Sequence, residues 1–96
     1  MNAGNSLYNT NLHDSNFKLH TSIFNGVNSK HRINGIEYVS GDTGSDSLTG
    51  LRLGASNNLS GTGYLEGDIG EFVMFNKLLT TQELNNLEKY FINKWI

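Results

Sequence analysis

The sequence reads as an all-β, antiparallel chain closed by one C-terminal amphipathic helix, and three observations predict it. Phe17, Leu19, Thr21 and Ile23 alternate with Lys18, His20 and Ser22, the period-two pattern of a half-buried strand. An Asn-Gly pair, Asn34-Gly35, separates the short runs SKHRI and IEYVS, and Asn-Gly supplies the two positive φ values that a two-residue hairpin turn requires. After Thr80 the apolar period lengthens from two to that of a helix, with Leu84, Leu87, Phe91 and Trp95 recurring three or four residues apart.

In chain order, residues 1–16 hold five Asn and scattered apolar residues, Leu7, Tyr8 and Leu12. They read as a loop or partly ordered lead-in. The alternation from Phe17 predicts a strand to Ile23, closed by Asn25-Gly26. Strands over 29–33 and 36–40 follow, paired antiparallel through Asn34-Gly35. Residues 41–50, GDTGSDSLTG, read as a polar loop, and LRLGAS as a short strand with Leu51 and Leu53 on one face. A second loop covers 57–63. Residues 64–76, YLEGDIGEFVMFN, read as a strand, and the unbroken run Phe72 to Phe75 predicts that both its faces are covered. Thr80 and Glu83 have the spacing of a capping box, in which the Thr oxygen accepts from a first-turn amide and the Glu reaches back. Glu83 at the start of that helix, with Lys89 and Lys94 toward its end, favours the helix dipole.

Composition narrows the function classes. Ninety-six residues allow one domain at most. Leu, Ile, Val and Phe make up about 27% of the chain, above the roughly 20% below which chains tend to be disordered. With no Cys there is no disulfide framework and no thiolate metal site. A formal charge of -2 and seven scattered Lys and Arg argue against a nucleic-acid surface, which gathers basic residues on one face. No apolar run approaches the length of a membrane span, and Met1 to Asn16 lacks the charged and apolar regions of a signal peptide.

The order of these elements carries a resemblance. FNG, the hairpin HRINGIEYVSG, a polar loop, LRLGAS, and then YLEGDIGEFVMFNKLLTTQELNNLEKYFINKW look like the C-terminal half of a laminin-G-like, concanavalin A-like lectin domain. The residues that carry it are the hairpin Asn-Gly; Gly67, Ile69 and Glu71 ahead of Phe72 to Phe75; Thr80 and Glu83; and Tyr90, Lys94 and Trp95. The resemblance covers residues 17–96. It implies a partial antiparallel jelly-roll β-sandwich with about half the strands and one C-terminal helix. The family's domain is about twice as long. A half sandwich exposes strand edges and an apolar inner face, so a missing N-terminal segment or another chain is expected to complete it.

Three sets of residues are candidates for chemistry. Glu66, Asp68 and Glu71 in EGDIGE resemble the E-x-D-x-x-E strand motif of retaining β-glucanases of jelly-roll architecture, which implies a nucleophile, a tuning Asp and an acid/base about 5 to 5.5 Å from the nucleophile. Strand parity places Glu66 and Asp68 on one face and Glu71 on the other, unless Gly70 hosts a bulge. The aromatic platforms of a sugar cleft are absent, and the sole Trp lies on the terminal helix. The alternative, an ordinary strand motif with Glu71 paired or solvated, is therefore preferred, and no catalytic residue is assigned. Second, Gly41 to Leu48 nearly fits the calcium-binding nonapeptide of β-rolls, with Asp42 in place of its second Gly. One copy makes no stacked site, but a lone calcium held by Asp42, Asp46 and backbone carbonyls stays open, since hard oxygen ligands suit it and the resemblance to laminin-G-like loops implies one. Third, His13, His20 and His31 have no carboxylate at ligand spacing, so His20 and His31 read as outward strand residues and no zinc site is expected. Asn58-Leu59-Ser60 is a glycosylation sequon, meaningful if the chain is secreted.

The functional expectation is a non-enzymatic module that recognises a glycan or protein surface, extracellularly or on a virion, through the loops 41–50 and 57–63. Asp42, Asp46, Asn57 and Asn58 are its candidate ligand-binding residues. The alternative is a structural or decoration piece of a larger particle, and the third reading is a β-glucanase fragment.

Overall fold

A computed structural model of the chain describes residues 16–46 and 67–96. They form a three-stranded antiparallel sheet and one C-terminal helix: β1 (His20–Ile23), a 3-10 turn (Gly26–Asn28), β2 (Ser29–Ile33), β3 (Ile36–Gly41) and α1 (Thr81–Trp95). The strands lie in the order β1-β2-β3. No helix among the described residues is long and apolar enough to cross a membrane.

The hairpin is built as its turn dictates. Asn34 and Gly35 sit at φ 52° and 80°, the left-handed pair of a two-residue turn whose twist matches that of the strands. Asn tolerates this region because its short side chain bonds locally. Here the Asn34 side chain also reaches sideways: its Oδ1 accepts from Leu19 N at 2.9 Å, while Asn34 N donates to Leu19 O at 2.9 Å. One residue therefore closes the turn and extends the β1–β2 ladder by a further step.

Register then sorts the side chains. Thr21 lies opposite Arg32, and Ser22 opposite His31. Directly opposed residues share a face, so Thr21 and Arg32 look to one side and Ser22 and His31 to the other. The inward setting of Thr21 and Ile23 follows the alternation in the sequence, with burial rising at every second residue. On the β2–β3 side the pairing passes from His31–Val39 to Arg32–Glu37, which leaves Tyr38 as the extra residue of a bulge.

Helix α1 starts where the capping box places it. Thr80 Oγ1 accepts from Glu83 N at 3.2 Å, and Glu83 Oε1 accepts from Thr80 N at 2.9 Å. Of its apolar stripe Phe91 is buried, while Leu84, Leu87 and Trp95 are half-buried. The turn of the hairpin meets the same helix, since a Cβ on Gly35 would lie 3.7 Å from Ile92 Cδ1. Ile33 and Phe91 are the buried apolar residues among those described.

Two expectations change. The strand expected over 64–76 is absent from its described part, residues 67–76. A strand needs a neighbouring ladder, and this stretch is instead tied to α1 by side chains. Its apolar run is not covered on both faces: Ile69 and Phe72 to Phe75 are 44 to 50% exposed. The strand expected from Phe17 begins at His20. The short strand over 51–56 and the loop over 57–63 lie outside the described residues, as does most of the lead-in. Among the described residues there is one sheet.

Candidate functional site

The loop leaving β3 is the described half of the expected recognition surface, and its first residues are firmly anchored. Thr43 and Ser29 are fully buried and their hydroxyls lie 2.7 Å apart. Ser29 Oγ donates to Gly26 O at 2.7 Å and accepts from Asn25 N at 2.9 Å. Its single proton is thus used, which makes Thr43 the donor in the hydroxyl pair. Thr43 N also donates to Gly26 O, at 3.3 Å. The 3-10 turn after β1 therefore holds the loop after β3. Asp42 bends the chain next to this anchor: its Oδ1 accepts from Gly44 N at 2.8 Å, an Asx turn that the φ of 83° at Gly44 completes. Asp42 and Asp46 are both exposed. Asn57 and Asn58 lie outside the described residues. Among the described residues no three His, Cys, Asp or Glu side chains converge in a metal-binding group.

The second constellation joins the 67–79 stretch to the end of α1. Trp95 Nε1 donates to Glu71 Oε1 at 3.0 Å, Tyr90 OH donates to Glu71 Oε2 at 3.2 Å, and Lys94 Nζ lies 2.9 Å from Oε1. Tyr90 and Lys94, four apart, are neighbours on the helix surface, and Trp95 lies further round at the end of the apolar stripe, so the Glu71 carboxylate bridges the two. The bonds from Lys94 and Trp95 hold the Glu71 carboxyl below its usual range. Gly70 lets the indole approach, since a Cβ there would stand 2.9 Å from Trp95 Cζ3. Phe17 also packs against the indole, ring centroids 5.7 Å apart and tilted by 44°. An open cleft of about 370 Å³ borders Trp95, lined also by Asn16, Phe17, Lys18, Asn34 and Ile96.

For the carboxylate motif, this geometry pairs Glu71 and leaves Asp68 exposed, while Glu66 lies outside the described residues. A general acid needs a carboxyl whose pKa is raised toward neutrality, and Glu71 is shifted the opposite way.

Two groups were not found from the sequence. Glu88 is buried, 4% exposed, and Arg32 grips it with both Nε and Nη2, at 2.9 Å to Oε2 and 2.7 Å to Oε1. Thr21 Oγ1 donates to Oε2 at 2.9 Å. This carboxylate raises the pKa of Arg32 further. A signal existed: Glu88 follows Leu84 by four and precedes Phe91 by three, which puts an acid inside the apolar stripe, where it needs a cation. The other group is a histidine pair on the opposite sheet face. His20 Nδ1 lies 3.2 Å from His31 Nε2, and Ser22 Oγ lies 3.0 Å from His31 Nδ1. His20 is exposed as expected, whereas His31 is half-buried. Burial, and then the neighbouring His20, lower the pKa of His31.

Comparison with known proteins adds no relative: no family model, curated protein or solved structure matches the chain.

Proposed function

We propose that the chain is a non-enzymatic recognition module of the laminin-G-like, concanavalin A-like kind, a partial jelly roll that binds a glycan or protein surface as part of a larger extracellular or virion-surface assembly. The observation that carries this reading is the half-exposed run Ile69, Phe72, Val73, Met74, Phe75 and Leu78. Large apolar side chains left this exposed along one segment suit a face that polypeptide covers. A second feature is the loop after β3, whose root, Thr43, is buried against Ser29 while Asp42 and Asp46 are exposed. A rigid base under exposed polar groups suits recognition of hydroxyl-rich or polar surfaces, because little loop entropy is lost on binding. A calcium ion held by Asp42, Asp46 and carbonyls belongs to this reading as an optional bridge to the ligand.

The test is a glycan array probed with the complete assembly, with the Asp42→Ala/Asp46→Ala double variant alongside. Binding to a defined glycan class that the double variant loses supports the reading; a silent array together with a monomeric, sharply melting isolated chain overturns it. A second reading, a structural or decoration part of a particle, is favoured by the internal use of the Asp42 carboxylate in its own turn. Tight stoichiometric incorporation without sugar binding is its signature.

A further inference from the structure

The sheet face opposite the Glu88 contact holds an arrangement that the recognition reading does not use. Ser22 stands directly opposite His31, and His20 precedes Ser22 by two residues on β1. All three side chains therefore emerge on one face, with His20 and His31 as diagonal neighbours. Their nearest nitrogens, His20 Nδ1 and His31 Nε2, are 3.2 Å apart, with ring centroids at 5.4 Å. In the tautomer that carries the His31 proton on Nδ1, Ser22 Oγ, 3.0 Å away, accepts it. The opposite nitrogen of the ring, Nε2, then carries the lone pair, and it is turned toward His20.

We propose that His20 and His31 form a two-imidazole site for a divalent transition-metal ion of the zinc or copper class, with Ser22 orienting His31. The spacing is already that of a chelate. Two nitrogens bound to one zinc ion at about 2.0 to 2.1 Å with a near-tetrahedral angle stand roughly 3.3 Å apart. The ion lies off the line between the nitrogens, so each ring turns toward it about its own side-chain bonds. Imidazole is the ligand type that zinc and copper share, and a hydrogen bond to the far ring nitrogen is the usual device for presenting the near one. The protons balance simply. With that tautomer His20 Nδ1–H is the donor to His31 Nε2 in the metal-free protein; on binding, that proton leaves Nδ1 to solvent as Nε2 of His20 takes one up, so neutral rings release none. Starting from a charged His20, one proton is released. The remaining coordination positions are filled by water or by a donor from a bound partner.

The test titrates the full chain with zinc chloride at neutral pH, by calorimetry and by observing histidine ring nitrogens in NMR. The expected result is saturable one-to-one binding that shifts the His20 Nδ1 and His31 Nε2 resonances. His20→Gln and His31→Gln should each weaken it at least tenfold, and Ser22→Ala by roughly tenfold, the size of other outer-shell losses. Binding of equal strength in both Gln variants, absence of saturation, or shifts confined to other nitrogens overturns the proposal. The ring-nitrogen shifts are read on the unaltered chain, so the outcome stands even where a variant folds poorly.

Discussion

Helix α1 meets the rest of the chain through two carboxylates, and the contrast between them is instructive. Glu88 points from the helix into the sheet, with its side chain 5% exposed and gripped by a guanidinium in two places. Glu71 reaches up to the helix from the 67–79 stretch, its side chain 29% exposed, and meets an ammonium that is itself 49% exposed. The first contact is largely shielded from water, its guanidinium side chain 19% exposed, and geometrically fixed. The second is wet, with a flexible Lys as its charged partner. Removing one member of a buried pair strands the other charge in low dielectric, whereas an exposed pair exchanges its partner for water at little cost.

The strongest way to break this comparison is Glu88→Ala, which takes the bidentate carboxylate from Arg32, leaving it Gly35 O and the nearby Glu37, and deprives Thr21 of its acceptor. It should cost about 3 kcal/mol in urea denaturation. Combining it with Arg32→Met should recover part of that loss, because the stranded charge goes too. A loss below about 1 kcal/mol would place the pair in the class of surface bridges. Next in size is Gly70→Ala. Its Cβ would stand 2.9 to 3.0 Å from three atoms of the Trp95 ring, and the indole, held by Glu71, must move; about 1 kcal/mol is expected, with a red shift of Trp emission.

The smallest effect belongs to Glu71→Gln, a slight destabilisation that added salt erases. Its pH dependence has a definite sign. Because the folded-state pKa of Glu71 lies below the ordinary 4.5, the contribution is fully present above the unfolded value. It is lost as pH falls through the lower folded value. Stability measured from pH 6 down to 3 should therefore decline more in the parent than in Glu71→Gln. Equal slopes would deny the contact any role in solution.

What could be read in advance follows the range of the interactions. The hairpin and the capping box depend on residues within a few positions of one another, so Asn34-Gly35 and Thr80 with Glu83 announced them. The Arg32–Glu88 pair spans 56 residues. Its helical half was visible as an acid in the apolar stripe, but which strand cation answers it depends on how the helix lies across the sheet. The histidine pair needed the β1–β2 register, since two residues eleven apart meet only when Ser22 faces His31. The run Phe72 to Phe75 misled for a different reason: apolar character says that a segment wants cover and not what geometry supplies it. In the candidate recognition loop, Asp42 and Asp46 were foreseen as polar and exposed. The anchoring of Thr43 by Ser29 was not, because two hydroxyls in a polar sequence carry no mark of burial.

Gly70 and Trp95 have an optical consequence. The chain contains a single Trp, and its indole rests on Gly70 and donates to Glu71. Intrinsic fluorescence therefore reports on the joint between the 67–79 stretch and the helix end. Far-ultraviolet dichroism follows the hairpin and helix backbone. Recording both during a single thermal ramp would resolve whether that joint loosens before the sheet, with no label added to the molecule.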